Sequence, residues 1–447
     1  MIRISLTLLS AGLGILSFPP FDGHFQSLIA LLPFLLALRG SSNDTALALG
    51  LLYGLVLYVG TLPWMVSVFG AFAFLLHFIL ALFPAFFARI FIEGHRRWRD
   101  RPWLPWFAAT LWTGIEHFRC EWFSLRFAWI TPGTGLPPGY LTPVVGVYGV
   151  TFLIVLGCAS IAWTARFRPA GIALLIALGS SAYLPKPAIP VGDIAVAAVQ
   201  SEDMSTPLLF RLSQNLPEVD AIVWPEYVTR SDLRRDEKLR SRITEHLAAK
   251  SAEVLVLGGR AELDDGKWQN TAYTIGHAGV LGTHVKNRPV HFFDDGEPGT
   301  EAPAIATPLG LVGTPVCFDN DYAAVQRRAV ANGAEFLLIP SMDAEHWTAR
   351  QHLQHAELFR HRAAENGRFL VVAASSGLTQ AIDPWGRRIS SLPLFEPGVM
   401  NTRITARSHR TPYQRCGWLI GPACTILSLG WIALPFLHRR WTRFVSR

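Results

Sequence analysis

The sequence predicts two kinds of structure in one chain: an α-helical membrane domain of about eight transmembrane helices, and an α/β domain with helices over a sheet. Three observations carry that prediction. Half of the 447 residues are hydrophobic and only 16% are charged. The uncharged residues are concentrated, so that 46 to 88, 141 to 165 and 416 to 437 hold no Asp, Glu, Lys or Arg. Residues 192 to 410, by contrast, have the composition of an ordinary soluble domain, in which short β-rich runs alternate with helical spacing.

A helix crosses a bilayer with about 20 apolar residues. By that measure 141–165 and 416–437 each span once and 46–88 spans twice. Shorter uncharged stretches at 4–21, 23–38, 102–115 and 170–185 supply the rest. The helices expected are therefore 4–18, 25–38, 45–63, 70–92, 104–118, 144–165, 170–184 and 416–437. The opening segment has features of a signal peptide, but the apolar runs that follow it favour a retained first helix.

Charge orients these helices. With the N-terminus inside, the loop of Arg96, Arg97, Arg99 and Arg101, the loop of Arg166 and Arg168, and the tail of Arg439, Arg440, Arg443 and Arg447 all fall on the cytoplasmic side, as the positive-inside rule requires. One helix more or fewer before residue 90 would place the Arg96 cluster outside. The expected organisation is a membrane domain over 1–187, an extracytoplasmic domain over 192–410, and a last helix with a basic cytoplasmic tail over 414–447. The net charge of +7 sits in these clusters, which argues for a membrane and against a nucleic-acid partner.

In the soluble domain, Ile194–Val199, Ala221–Val223, Val254–Leu257, Ala272–Ile275, Leu311–Val316, Phe336–Ile339 and Phe369–Ala373 read as strands. Their near-continuous apolarity indicates burial on both faces. Arg234–Lys250, Tyr322–Asn332 and Ala349–Asn366 carry helical spacing, the last stopped by Gly367. Gly258-Gly259 follows a strand but lacks the further glycines and the lysine of a phosphate-cradling loop.

The chemistry lies in Glu226, Lys286 and Cys317, each at the end of a short apolar run. Singly they read as a solvated loop acid, a surface lysine and a small buried hydrophobe. Jointly they are the parts of an activated nucleophile. The thiolate is the reactive form of cysteine, so a nucleophilic thiol needs a neighbour to take its proton. Glu226 can serve as that base, more so if a partly apolar site raises its pKa. Acyl transfer builds negative charge on a carbonyl oxygen, which the Lys286 ammonium and the backbone N–H of Phe318 can stabilise. The five cysteines have no zinc-site or disulfide spacing. A lone thiol at a strand end in an oxidising compartment reads as chemistry. His346, His352, His355 and His361 suggest a metal cluster, but no carboxylate or cysteine at tight spacing completes a ligand set. They read as helix-face polarity near the membrane surface, and no metal or cofactor is expected.

Glu–Lys–Cys in this order on an α/β domain resembles the nitrilase, or carbon–nitrogen hydrolase, superfamily. The membrane part resembles one branch of it, the apolipoprotein N-acyltransferases. The similar segments are Leu16 to Asp22, Gly60 to Trp64 with Phe69-Gly70, Leu111-Trp112 with Glu116, and Pro143 with Gly146 to Val150. In the soluble part they are Val199-Gln200, Asn270, Lys286-Asn287, Gln354-His355, Arg362-Ala363 with Glu365, and Gly377 to Gly386. The resemblance implies an αββα sandwich on an eight-helix membrane domain of the bacterial inner membrane, with the sandwich in the periplasm. It implies a fatty acyl chain passed from a phospholipid, through a Cys317 thioester, to the N-terminal amine of a diacylglyceryl-modified apolipoprotein. A membrane-anchored amidase-type hydrolase, and a non-catalytic binding or assembly member, are the alternatives. Phe318 and Asp319 stand where the family has Tyr and Glu. A second acidic residue of the family falls on Asp294 by counting from Lys286, or on Glu297 by its Gly-Glu context, which is favoured. The family's loop of Ser-Asn-Asp-x-Trp corresponds to Ser341 through Trp347, with extra residues.

Overall fold

The computed structural model describes residues 1–97, 101–190 and 192–445; Arg99 and Arg447 of the basic clusters lie outside these. The chain divides into two compact units, residues 1–184 with 415–447, and residues 185–414.

The first unit is helical: α1 (Ile2–Leu16), α2 (His24–Ile29), α3 (Leu31–Ala37), α4 (Asn43–Thr61), α5 (Trp64–Phe69), α6 (Phe72–Arg97), α7 (Leu104–His117), α8 (Thr142–Trp163), α9 (Arg168–Tyr183) and a last helix, Ile420–Val445. Every segment expected to be helical is so. The second is divided near Pro33, which has no N–H to offer the Ile29 carbonyl. Helix α5 lies between two expected spans. Ser42 caps α4 by accepting from the Thr45 N–H at 3.1 Å, a standard way to satisfy an orphan donor of the first turn. Helices α4 and α6 approach closely, because a Cβ at Gly50 or Gly54 would lie 2.6 Å from the Cα of Ala85 or Ala81. Small residues spaced one turn apart allow such packing inside a bilayer.

Among the described residues, three helices are long and apolar enough to cross a membrane: Asn43–Thr61, Phe72–Arg97 and Thr142–Trp163. Ile2–Leu16, His24–Ala37 and Gly417–Ala433 are shorter apolar stretches. The eight-span expectation is therefore not met by helix length. At about 1.5 Å per residue, the 15-residue α1 covers less than the ~30 Å hydrocarbon core.

The second unit is a four-layer sandwich. Its first sheet has the order β12-β1-β2-β3-β4-β5 and its second β11-β10-β9-β8-β7-β6. The strands are β1 (Ile194–Gln200), β2 (Ala221–Val223), β3 (Val254–Glu262), β4 (Trp268–Gly276), β5 (Gly279–Val285), β6 (Ile305–Thr307), β7 (Gly310–Gly313), β8 (Phe336–Pro340), β9 (Leu370–Ala373), β10 (Gln380–Ile382), β11 (Arg388–Ser391) and β12 (Gly398–Ile404). The helices are α10 (Thr206–Leu212), α11 (Glu237–Lys250), α12 (Ala323–Ala331) and α13 (Thr348–Asn366).

Strand periodicity explains the continuous apolar runs. Val196, Ala198, Val223, Val254 and Val256 face the second sheet, where Phe336, Leu338 and Val371 meet them. The alternate residues Ala197, Val199, Ile222, Leu255 and Leu257 face outward onto Leu209 of α10 and Ile243 and Leu247 of α11. On the other side, Leu337, Ile339 and Val372 pack on Val325 of α12 and Phe359 of α13. Successive side chains point to opposite faces, so a strand buried on both faces is apolar at every position.

The strands missed from sequence are mainly at the margins of the sheets. β5, β11 and β12 are half-buried and carry Gly, Thr, Ser or Arg. The expected strand Leu311–Val316 ends at Gly313, because Pro315 cannot donate to a ladder. Residues 314–316 continue without pairing and deliver Cys317.

Candidate active site

The three chemistry-bearing residues leave the C-terminal ends of three strands. Trp224-Pro225 carries the chain from β2 to Glu226, Lys286 directly follows β5, and Cys317 opens the short helical turn Cys317–Asp321 beyond β7. Glu226 is held close to the sheet by Gly258. A Cβ there would lie 2.6 Å from the Glu226 Cα, while the Gly258 N–H donates to the Pro225 carbonyl at 3.0 Å. The Gly258-Gly259 pair thus serves close backbone approach.

Cys317 is 4% exposed and has φ of 44°. Side chains other than glycine rarely occupy that region, and strain of this kind is concentrated at functional sites. Its Sγ donates to the Met342 carbonyl at 3.4 Å. Burial pushes the thiol well up, with Glu226 adding to the rise and Lys286 opposing it, so the resting form is the neutral thiol.

Glu226 divides its two oxygens between different tasks. Oε1 accepts from Asn270 Nδ2 at 2.6 Å and from Lys286 Nζ at 2.8 Å. Oε2 is buried and has no hydrogen-bond partner among the described residues. Burial drives the Glu226 carboxyl up; Lys286 pulls against this and Asp295 adds to it, leaving the carboxyl raised. Burial opposes the Lys286 charge, but Asp295 and Glu226 outweigh it and hold the ammonium well above its usual range.

The second acid is Asp295. Its Oδ2 lies 2.8 Å from Lys286 Nζ and accepts from the Val290 N–H at 2.7 Å. Its Oδ1 accepts from Asn270 Nδ2 at 2.6 Å and from the Tyr227 hydroxyl. Burial works against its charge, but Lys286 dominates and the carboxyl stays below its usual range. This corrects the expectation of Glu297 or Asp294. Glu297 points away, paired with Lys267 at 3.1 Å with 47% of its side chain exposed, and Asp294 is exposed. The missed signal was the Asp295-Gly296 step. Gly296 has φ of 75° and turns the chain directly after Asp295, whose Oδ2 accepts from the Val290 N–H five residues earlier.

Asp319, one methylene shorter than glutamate, is fully engaged. Oδ2 accepts from His284 Nε2 at 2.9 Å and the Val316 N–H at 3.1 Å. Oδ1 accepts from the N–H groups of Asn287 and Arg288 at 2.9 and 2.8 Å. One carboxylate therefore ties the nucleophile turn to the segment that begins at Lys286. Phe318 stands edge-on to Tyr322, with ring centroids 5.2 Å apart. Sequence reasoning missed Tyr227 and His284. The histidines of α13 are not a polar surface face as expected: His352, His355 and His361 are buried, and only His346 before the helix is exposed. His352 Nε2 lies 3.1 Å from the Ala344 carbonyl, and His355 stands between two aspartates.

Residues 10–160 match the sequence model of the apolipoprotein N-acyltransferase N-terminal domain, and residues 215–413 that of the carbon-nitrogen hydrolases. Along nearly its whole length the chain is similar to the apolipoprotein N-acyltransferases. Apolipoprotein N-acyltransferases of Geobacter metallireducens and Pseudomonas syringae pv. tomato are 27% and 29% identical to it, over 97% and 96% of this chain and 95% and 96% of theirs. Among solved structures, the carbon-nitrogen hydrolase of Helicobacter pylori G27 is similar at 17% identity and a TM-score of 0.41, covering 47% of this chain and 88% of that one. Two family-like positions on α13 form an internal pair: Arg362 and Glu365 are buried with 2.8 Å between Nη1 and Oε2.

Proposed function

We propose that this N-acyltransferase moves a fatty acyl chain from a phospholipid, through a thioester on Cys317, to the N-terminal amine of a diacylglyceryl-modified apolipoprotein. The observation that carries the reading is Glu226, with one oxygen fixed by Asn270 and Lys286 and the other buried and unpartnered, coupled electrostatically to a buried thiol.

Glu226 Oε2 takes the thiol proton as Cys317 Sγ attacks the ester carbonyl. Negative charge develops on the carbonyl oxygen and is stabilised by the Lys286 ammonium and the Phe318 N–H. The intermediate collapses with loss of the lysophospholipid alkoxide, which receives the proton from Glu226. The acceptor amine then attacks the thioester, Glu226 takes its proton, and the thiol is regenerated as the amide forms. Asp295 stays ionised throughout and keeps Lys286 charged, so among Glu226, Lys286 and Asp295 only Glu226 changes protonation state.

Uncharged stretches and the placement of charge, rather than helix length, favour an eight-helix arrangement in the bacterial inner membrane, with the sandwich domain on the periplasmic side. The basic segments at Arg96, Arg101, Arg166 and Arg168 then face the cytoplasm. Donor and acceptor are both lipid-anchored, which suits an enzyme held at the membrane. In cells depleted of their own N-acyltransferase, the wild-type chain restores growth and triacylated lipoproteins and Cys317→Ala does not. Restoration by the alanine variant would overturn the proposed reaction.

A further inference from the structure

Beyond the residues assigned above, one buried cluster adjoins the nucleophile. His355 lies on α13 with its ring between two elements that flank Cys317. Its Nδ1 is 2.8 Å from Asp343 Oδ1, and its Nε2 is 3.2 Å from Asp321 Oδ1. All three side chains are at least 95% buried. Asp321 closes the turn that begins at Cys317. Asp343 follows Met342, whose carbonyl accepts from Cys317 Sγ. Asp343 is itself fixed: Gln351 Nε2 donates to Oδ1 at 3.0 Å, and the Ser375 hydroxyl donates to its carbonyl at 2.8 Å.

We propose that His355 is a positioning residue for the nucleophile, whose doubly protonated ring ties the Cys317–Asp321 turn to the Ser341–Asp343 loop and offsets carboxylate charge beside the thiol. A neutral imidazole has one N–H; a ring facing a carboxylate at each nitrogen uses two. Burial opposes the His355 charge, but Asp343 and Asp321 outweigh it and bring its pKa to about 10. Burial would raise the Asp343 carboxyl, but His355 dominates and takes it to about 2. The groups facing the ring are Asp321 from the nucleophile turn, Asp343 from the loop after β8, and Phe359 of its own helix, 4.9 Å away between ring centroids. The groups acting on the Cys317 thiol are Glu226, Lys286, Asp343 and the Ser341 side chain, and Asp343 raises it. Without the imidazolium, the thiol faces that carboxylate uncompensated.

The inference rests on Cys317 being the nucleophile of the proposed reaction. Its test reads thiol reactivity and not transfer, so the two can fail separately. Alkylation of Cys317 in the full-length protein by iodoacetamide, followed by peptide mass spectrometry across pH, is the measurement. His355→Gln moves the profile upward and slows alkylation at pH 8 about tenfold, the effect of one pKa unit. His355→Gln combined with Asp343→Asn returns the rate to within about threefold of wild type, although the tie is gone. Asp343→Asn alone moves the profile downward. A purely structural His355 predicts a double variant no faster than the single one, and that result overturns the proposal. Should His355→Gln not fold, an unmoved profile for Asp343→Asn overturns it equally.

Discussion

Cys317→Ala loses acyl transfer by about three orders of magnitude or more, the size of effect seen when a covalent nucleophile is removed from a group that acts as a unit. The variant keeps its fold. Cys317 contributes a single sulfur to a small cluster with Ala272, Val316 and Phe318, and its hydrogen bond to Met342 is long. The loss in stability is on the order of 1 kcal/mol. Transfer from phospholipid to a diacylglyceryl peptide, followed in detergent alongside the melting temperature, separates the two effects. Activity within tenfold of wild type would remove Cys317 from the chemistry.

Asp295→Asn costs about 1–3 kcal/mol, because the donors on Lys286, Tyr227 and Val290 lose their charged acceptor. Here it leaves one carboxylate for Lys286 where there were two, and it disturbs Asn270, which donates to both Asp295 and Glu226. Activity falls with stability as Glu226 loses its orientation. Glu297→Gln stays within about 0.5 kcal/mol, as exposed positions do. The acid limb follows from the same assignment. The Asp295 carboxyl is held below its usual range in the fold, so its contribution is complete above about pH 4, the unfolded carboxylate value, and is lost as pH falls through the depressed folded value. Asp295→Asn therefore flattens stability against pH on the acid side. Denaturant melts of both variants between acid and neutral pH check this, and equal losses for Asp295→Asn and Glu297→Gln would contradict it.

The parts of this protein legible in the sequence are those where one physical demand dominates. Double burial wrote the central strands as unbroken apolar runs, as in Ala195 to Val199 and Phe336 to Ile339. The need for a base, a cation and a thiol marked Glu226, Lys286 and Cys317. Half-buried edge strands such as Arg388–Ser391 left no such trace. Helix lengths were also beyond hydropathy, since uncharged stretches run past helix ends into turns, as at Ser17 to Phe21. Asp295 was hidden among three acids within four residues, and only its contacts with Lys286, Asn270 and the Val290 N–H set it apart. His355 looked like surface polarity because its two aspartates are 34 and 12 residues away in the chain and meet it only in the folded sandwich.

The central claim is an acyl-enzyme on Cys317 that an amine resolves. Incubating the wild-type protein with phospholipid and measuring the intact mass and the Cys317 peptide, then adding a diacylglyceryl peptide, tests it most directly. The account predicts one acyl chain on Cys317, lost on addition of the peptide as an equal amount of triacylated product forms. No adduct at Cys317, or an adduct released only as free fatty acid, would contradict it.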